Sequence, residues 1–484
     1  MAPPLSPLVP LLADDPAVRA VISRDPTVAV PEAARALFVA AVADVTSRRP
    51  ILLAVPTGTE AERLVRDLGQ YLGPDEVELF PAWETLPFER VSPSLETMGR
   101  RLRVMWRLRN ATPPQVIVAP VRALVQRLGP HVDEVEPVLL RPGMQVDRDE
   151  LVERLVAGGY RREYQVEARG EVAVRGSIVD VYPSTDDHPV RIDLWGDEVD
   201  RLSAFSVADQ RSTHDVPEAL IFPTRELLPT EEVRERAAAL VGSQPWGREQ
   251  WDRLAEGLVF DGMESWLPWL CDADELITDL LPDTALVALV EPKRMRDRAQ
   301  ELLDEEASLA GTLATTWGAD DDELPRLSLP FDRLLTATKA GAVSLLATPE
   351  GPDTPRVAAS AFDPVVGDAD ALAKRLRALA GDGYRVVLAA DGAGSAAAAR
   401  RARGRGARAV VGEPAKGGAP RGRADRPRRG AARRAHRPRR RGRPHGAPAR
   451  APPARRARAS TTTTHSPPAT TSCTTSTAWA STWR

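Results

Sequence analysis

Apolar positions along residues 32 to 72 recur first at helical spacing, then in an unbroken run, then at helical spacing again. PEAARALFVAAVADVTSRRP reads as a helix, ILLAVPTG as a buried strand closing in a Pro/Gly turn, and EAERLVRDLGQYL as a second, amphipathic helix. A strand-turn-helix unit of this kind belongs to a parallel α/β sheet. VELFPAWE and PQVIVAPVRALVQRL supply two further strands, the second running into a helix. Between residues 137 and 215 the period drops to two: RGEVAVRGSIVDVYP and HPVRIDLWGDEVDRLSAFSV alternate apolar and polar positions between polar turns, which predicts a small β-rich module. Residues 216 to 345 return to helical spacing with the apolar runs TALVALVEP and AVSLLATPE, and RALAGDGYRVVLAADGAGS, 377 to 395, predicts a last helix-strand-turn.

After about residue 396 both periods vanish into Arg, Pro, Gly and Ala with no apolar face to bury. Burial there is too small to offset chain entropy, so disorder is expected. Charge divides at the same place. The chain of 484 residues has a formal net charge of -3, but residues 401 to 484 hold 22 Lys and Arg against only Glu413 and Asp425, which leaves 43 basic and 66 acidic residues before them. An acidic body of about -23 precedes a tail of about +20.

The two cysteines, Cys271 and Cys473, are too few for a disulfide framework and lack metal-ligand spacing, which points to a reducing cytosol. MAPPLSPLVPLLADDPAV has Pro inside its apolar run and no basic start, so it fails as a signal peptide, and no stretch suits a membrane span. The expectation is a cytoplasmic protein with no membrane partner.

VPTGTEAERL, 55 to 64, stands between strand and helix, where a phosphate-binding loop would stand. Such a loop needs glycines for close backbone approach, a Lys for phosphate and a Ser or Thr for magnesium. Here Gly58 is alone, and Thr59 and Glu60 replace the Lys-Ser/Thr pair, so an ordinary turn that does not bind ATP is expected. His188 and His214 read as surface residues, and the acidic run at 319 to 324 as a solvated loop rather than a metal site. No catalytic residue and no metal site is assigned. Chemistry concentrates in GYRREYQVEARGEVAVRGSIVDVYP, 159 to 183, where Arg161, Arg162, Arg169 and Arg175 could fork onto a partner's carboxylates. On composition alone, a solvated face of internal ion pairs is the favoured reading of the same arginines.

FPAWETLPFERVSPSLETMGRRLRVMWRL, QVIVAPVRALVQRL, GYRREYQVEARGEVAVRGSIVDVYP, RIDLWGDEVDRLSAFSVADQRS and IFPTRELL follow one another in an order that resembles the N-terminal part of the bacterial transcription-repair coupling factors, over most of residues 30 to 345. The region is also similar to the excision nuclease subunit UvrB. The resemblance implies a UvrB-like, degenerate nucleotide-binding-type α/β fold with an inserted β-rich UvrA-binding domain, followed by the basic tail. The implied domains are 1–135 and 216–350 for the two parts of the α/β domain, 136–215 for the β-rich domain, 351–396 for an incomplete small α/β domain and 397–484 for the tail. UvrA is the implied partner, met by arginines around Arg162 and Arg175, with Ala173 standing where the family pattern has a third. ATP, magnesium, DNA and RNA polymerase belong, by the resemblance, to the full-length family's translocase motor and polymerase-binding module. No cofactor is expected for this chain, and no enzymatic activity. The alternatives are a UvrB-type excision-repair NTPase and a DNA-binding protein acting through the tail.

The tail itself suggests a shifted reading frame. ATTSCTTSTAWASTWR, 469 to 484, spelled in GC-rich codons and read one base earlier, permits DYVVHDVHGVGVYVEM. That looks like the stretch with which the family's polymerase-binding module begins.

Overall fold

The computed structural model describes residues 3–390 apart from 24–25, 111, 131–134, 272, 318–323, 360–361, 363–364 and 366–368, together with 408–411 and 478–481. By contacts the chain divides into Met1–Ala415 with Ser476–Arg484, and Lys416–Thr475, in which no residue is described.

The first stretch runs α1 (Pro16–Ile22), β1 (Thr27–Ala29), α2 (Arg35–Val45), β2 (Ile51–Val55), α3 (Gly58–Leu72), β3 (Val77–Leu79), α4 (Leu95–Arg109), β4 (Val116–Pro120) and α5 (Val121–Leu124). Helix starts follow their caps. Asp15 accepts from Ala17 N at 2.9 Å ahead of α1, Thr57 from Glu60 N at 3.3 Å ahead of α3, and Ser94 from Thr97 N at 3.1 Å ahead of α4. The β-rich unit follows as β5 (Val138–Leu140), α6 (Arg148–Ala157), β6 (Arg161–Arg162), β7 (Glu171–Arg175), β8 (Ile178–Val181), β9 (Val190–Trp195), β10 (Glu198–Phe205), β11 (Ser212–Asp215) and β12 (Ala219–Ile221). Next come α7 (Glu231–Ser243), α8 (Arg248–Ala255), α9 (Leu267–Leu270), β13 (Leu286–Val290), α10 (Pro292–Trp317), β14 (Gly341–Leu346), α11 (Ala369–Gly381), β15 (Arg385–Ala390), β16 (Arg408–Val411) and β17 (Ala478–Ser481).

Six parallel strands in the order β1-β14-β13-β2-β4-β3 make the main sheet, so β13 and β14, reached after the whole β-rich insertion, complete a sheet begun by β2. Alternation along β2 feeds two cores. Ile51, Leu53 and Val55 pack with α2 and α3 residues such as Phe38, Val42 and Leu64, whereas Leu52 and Ala54 pack on the other side with Leu102 and Met105 of α4 and Met295 of α10. Being covered on both faces explains why ILLAV reads as continuous apolar rather than alternating.

The β-rich unit is a six-stranded sheet, β11-β10-β9-β8-β7-β6, antiparallel except for the β6–β7 pair. One face carries Val172, Val179, Val181, Ile192 and Leu194 and packs on Leu151, Val152 and Leu155 of α6. Beside it β12 pairs with β5, beyond the expected boundary at 215. Helices α7 to α9 gather a cluster of tryptophans, in which Trp246 stacks on Trp317 at 4.3 Å between ring centroids. Strand β15 pairs with β16 in parallel and with β17 antiparallel. Apart from those two strands, the tail expected to be without structure lies outside the described residues, as does nearly all of the acidic run at 319 to 324. Among the described residues no helix is long and apolar enough to cross a membrane.

Candidate functional site

The loop that stands in the phosphate-binding position leads from β2 into α3 at the carboxyl edge of the main sheet, where ligands bind in open α/β folds. Two of its side chains are engaged from within. Thr57 caps the helix, and Glu60 accepts from Arg35 Nη1 at 2.7 Å. Arg35 is buried and reaches on to Glu291 at 3.2 Å, just past the end of β13. Glu291 holds a left-handed backbone, φ 51°, and accepts from Ala347 N at 2.5 Å. Nothing lies within 4 Å of where a Cβ on Gly58 would sit, so no close approach demands the glycine. Thr59 is exposed on the first turn. Two carboxylates about one guanidinium make a poor seat for phosphate.

The four arginines separate once the register of the β-rich sheet is known. Arg161 stands opposite Glu171 and Arg162 opposite Val172, so the two point to opposite faces. Arg161 Nη2 donates to Glu171 at 2.7 Å, and its Nε lies 3.1 Å from Glu163. Burial pushes the Glu171 carboxyl up, but the backbone amides of Glu167 and Ala168 and the Arg161 guanidinium outweigh it and hold the group below its ordinary value. Arg162 is exposed and forms no ion pair with any described residue.

Arg169 is committed inside the protein. It donates to the carbonyls of Ser184 and Asp186, lies 3.5 Å from Asp187 and 3.6 Å from Glu96 of α4, and covers the Tyr182 ring at 5.2 Å. It therefore ties the β-rich unit to α4. Arg175 sits at the end of β7 and donates to Asp180, a carboxylate with no solvent exposure.

Asp180 also receives a bidentate fork from Arg191, 2.7 Å from Nε to Oδ1 and 2.9 Å from Nη2 to Oδ2. The hydrogen bonds to Asp180 hold the Arg191 guanidinium above its ordinary value. Two guanidiniums share one carboxylate here, and Asp193, whose charge also acts on Arg191, balances the second of them. Along β9, Arg191, Asp193 and Trp195 alternate onto the same face, and Asp193 is in register with Ile178, itself opposite Arg175. Trp195 is 83% exposed. The face thus carries two pinned guanidiniums, Arg175 and Arg191, the Asp193 carboxylate, and at the end of β9 a large exposed indole. Neither Arg191 nor Trp195 was singled out from the sequence. The available signal was RIDLW, in which a tryptophan takes an outward position immediately before a glycine turn.

His188 and His214 are both exposed and face each other edge-on at 6.4 Å. Among the described residues no group of three or more His, Cys, Asp or Glu side chains could hold a metal ion. Cys271 is buried and donates to the Leu128 carbonyl at 3.3 Å, and Cys473 is not among the described residues.

The family profile described as the UvrB interaction domain matches residues 138–227, the span from β5 to just beyond β12. The chain is 40% identical to the transcription-repair-coupling factor of Mycobacterium bovis over 294 residues, which is 57% of this chain and 24% of that protein. It is 31% identical to that of Bacillus subtilis over 325 residues, 63% of this chain and 27% of the relative. With that of Escherichia coli it shares 30% identity over 239 residues, 47% and 20% of the two chains. The chain thus spans about a quarter of the length of these relatives. The likeness to the N-terminal portion of a transcription-repair-coupling factor, drawn from its motifs, stands.

Proposed function

We propose that this chain is the repair-recruiting portion of a transcription-repair-coupling factor, and that it recruits UvrA through the face of the β-rich sheet bearing Arg175, Arg191 and Trp195. The observation that carries the reading is Trp195, a mostly exposed indole set beside two guanidiniums fixed on Asp180, within the segment matching the UvrB interaction domain. Aromatic and Arg side chains dominate the energetics of protein interfaces, and a guanidinium already held in place loses little freedom on binding. Arg161 lies on the same face at the sheet edge, whereas Arg162 projects from the opposite face and contributes at the rim. Arg169 serves as internal framework.

Recruitment is favoured over nucleotide hydrolysis because the loop of Gly58, Thr59 and Glu60 has no Lys, and its one nearby guanidinium, Arg35, is already shared by the Glu60 and Glu291 carboxylates. No ATP or magnesium binds at that loop in this reading. ATP-driven DNA translocation and contact with RNA polymerase are assigned to the longer protein, beyond residues 1–350. The test is titration of purified UvrA onto immobilised chain, with Arg175→Ala/Trp195→Ala as the comparison. Saturable binding that the double substitution abolishes is the expected result; an intact, folded chain that fails to bind UvrA overturns the reading.

A further inference from the structure

Two consecutive residues after β12, Arg225 and Glu226 of the IFPTRELL stretch, send their side chains to two different parts of the α/β domain. Arg225 Nη1 donates to Glu264 Oε1 at 2.7 Å and to Ser92 Oγ at 3.0 Å, while the Ser92 hydroxyl donates to Glu264. Glu226 Oε1 accepts from Arg101 Nε of α4 at 2.7 Å and from Trp83 Nε1 at 2.8 Å. The side chains of Arg101, Glu226 and Glu264 have no solvent exposure at all. Arg101 also lies 4.3 Å over the Phe80 ring and donates to the Pro81 carbonyl at 3.1 Å.

Around these charges the β-rich unit meets α4 and the chain after β12 at glycines. A Cβ on Gly99 would collide with Ser184, one on Gly170 with Leu95, and one on Gly159 with Thr224. Such contacts bring the two surfaces to backbone distance, where any larger side chain would clash. Yet the ion pair at their centre is imperfect, since Arg101 Nη2 and Glu226 Oε2 are buried without a hydrogen-bond partner. Burial pushes the Glu226 carboxyl up, against the pull of Arg101 and Trp83 in the other direction. A fully buried pair with loose ends is a weak source of stability, and replacing it with well-packed apolar side chains is often neutral or stabilising. What an apolar pair lacks is direction.

We infer that Arg101–Glu226 and Arg225–Glu264 form an orientation latch, which fixes the angle at which α4 carries the β-rich unit, and with it the face of Arg175 and Trp195, at a cost in stability. The latch acts as a positioning device rather than a binding site, and it holds whether or not UvrA is the partner.

The measurement is a distance distribution between spin labels at Glu62→Cys on α3 and Asp200→Cys on β10, in the full chain with Cys473→Ser, combined with thermal unfolding. The variants are Glu226→Gln, which leaves Arg101 buried and unpaired, and Arg101→Leu/Glu226→Leu, which removes both charges. The single variant should unfold at a clearly lower temperature. The double variant should unfold at the wild-type temperature or above while its label distribution broadens at least twofold. A double variant with a distribution as narrow as the wild type, or one as unstable as the single variant, overturns the inference. UvrA affinity measured on the same proteins is a separate readout, so failure of the latch and failure of the recruitment reading remain distinguishable.

Discussion

Trp195 projects from the same face of β9 as Arg191, four residues earlier, and the two have opposite environments: Arg191 is locked onto buried Asp180, and Trp195 is left in solvent. A side chain that packs against nothing contributes little to folding, so its substitution separates binding from stability. Trp195→Ala should leave the unfolding free energy within about 0.5 kcal/mol of wild type. Loss of an interface anchor typically costs about 2–4 kcal/mol, so UvrA affinity should fall by roughly 30- to 1000-fold. Calorimetric melting beside equilibrium titration checks both halves. Unchanged affinity would remove Trp195 from the interface.

Asp180 plays the reverse part, because no partner can reach it directly. Asp180→Ala leaves Arg175 and Arg191 without their shared counter-charge, and breaking a buried pair from one side costs about 3–5 kcal/mol. The β-rich unit should therefore lose stability in denaturant titration, and UvrA binding should weaken with it. Arg175→Ala, by contrast, removes a more exposed arm and leaves the Arg191 fork on Asp180. It should cost at most about 1 kcal/mol of stability while still weakening UvrA binding. Equal destabilisation by the two variants would contradict the geometry.

How much of this could be read from the chain depended on the range of the interaction. The period-2 stretches RGEVAVRGSIVDVYP and HPVRIDLWGDEVDRL announced β7 to β10 because alternation is local. The unbroken run ILLAV announced β2 for the same reason. Local patterns also located the arginines, but not their roles. Arg161 and Arg162 are neighbours in sequence, and only the pairing with β7 shows that they face opposite ways. Arg169 looked like its companions until α4 supplied Glu96 from 73 positions earlier. Trp195 would pass for core by composition, and its exposure follows from its place at the end of β9.

Glu171 gives a pH dependence with a definite sign. Its carboxyl lies below the ordinary value in the folded chain, so its contribution is fully present above the unfolded value and is lost as pH falls through the folded one. The denaturation midpoint of the β-rich unit should accordingly drop on acidification below about pH 4.5, the range of an ordinary Glu. Glu171→Gln should be less stable than wild type near neutrality and should converge on it in acid. Parallel curves at all pH values would show that Glu171 is not the group responsible.

The bridge at the edge of the main sheet yields the last expectation, on nucleotide. Arg35 is buried between Glu60 and Glu291, and Arg35→Met would bring those carboxylates together with nothing to neutralise them. Loss of one side of a buried pair is worth about 3–5 kcal/mol, so the main sheet should melt at a distinctly lower temperature. Returning the cluster to its wild-type formal charge by Arg35→Met/Glu60→Gln should recover part of that loss, because Glu291 retains the backbone amide of Ala347. Any ligand that binds the folded chain raises its melting temperature by mass action, whereas the site here already contains its own anion. Millimolar ATP with magnesium should leave the wild-type melting curve unmoved. A rise in melting temperature that Glu60→Gln enhances would instead mean that the loop still accepts phosphate, with Glu60 opposing it.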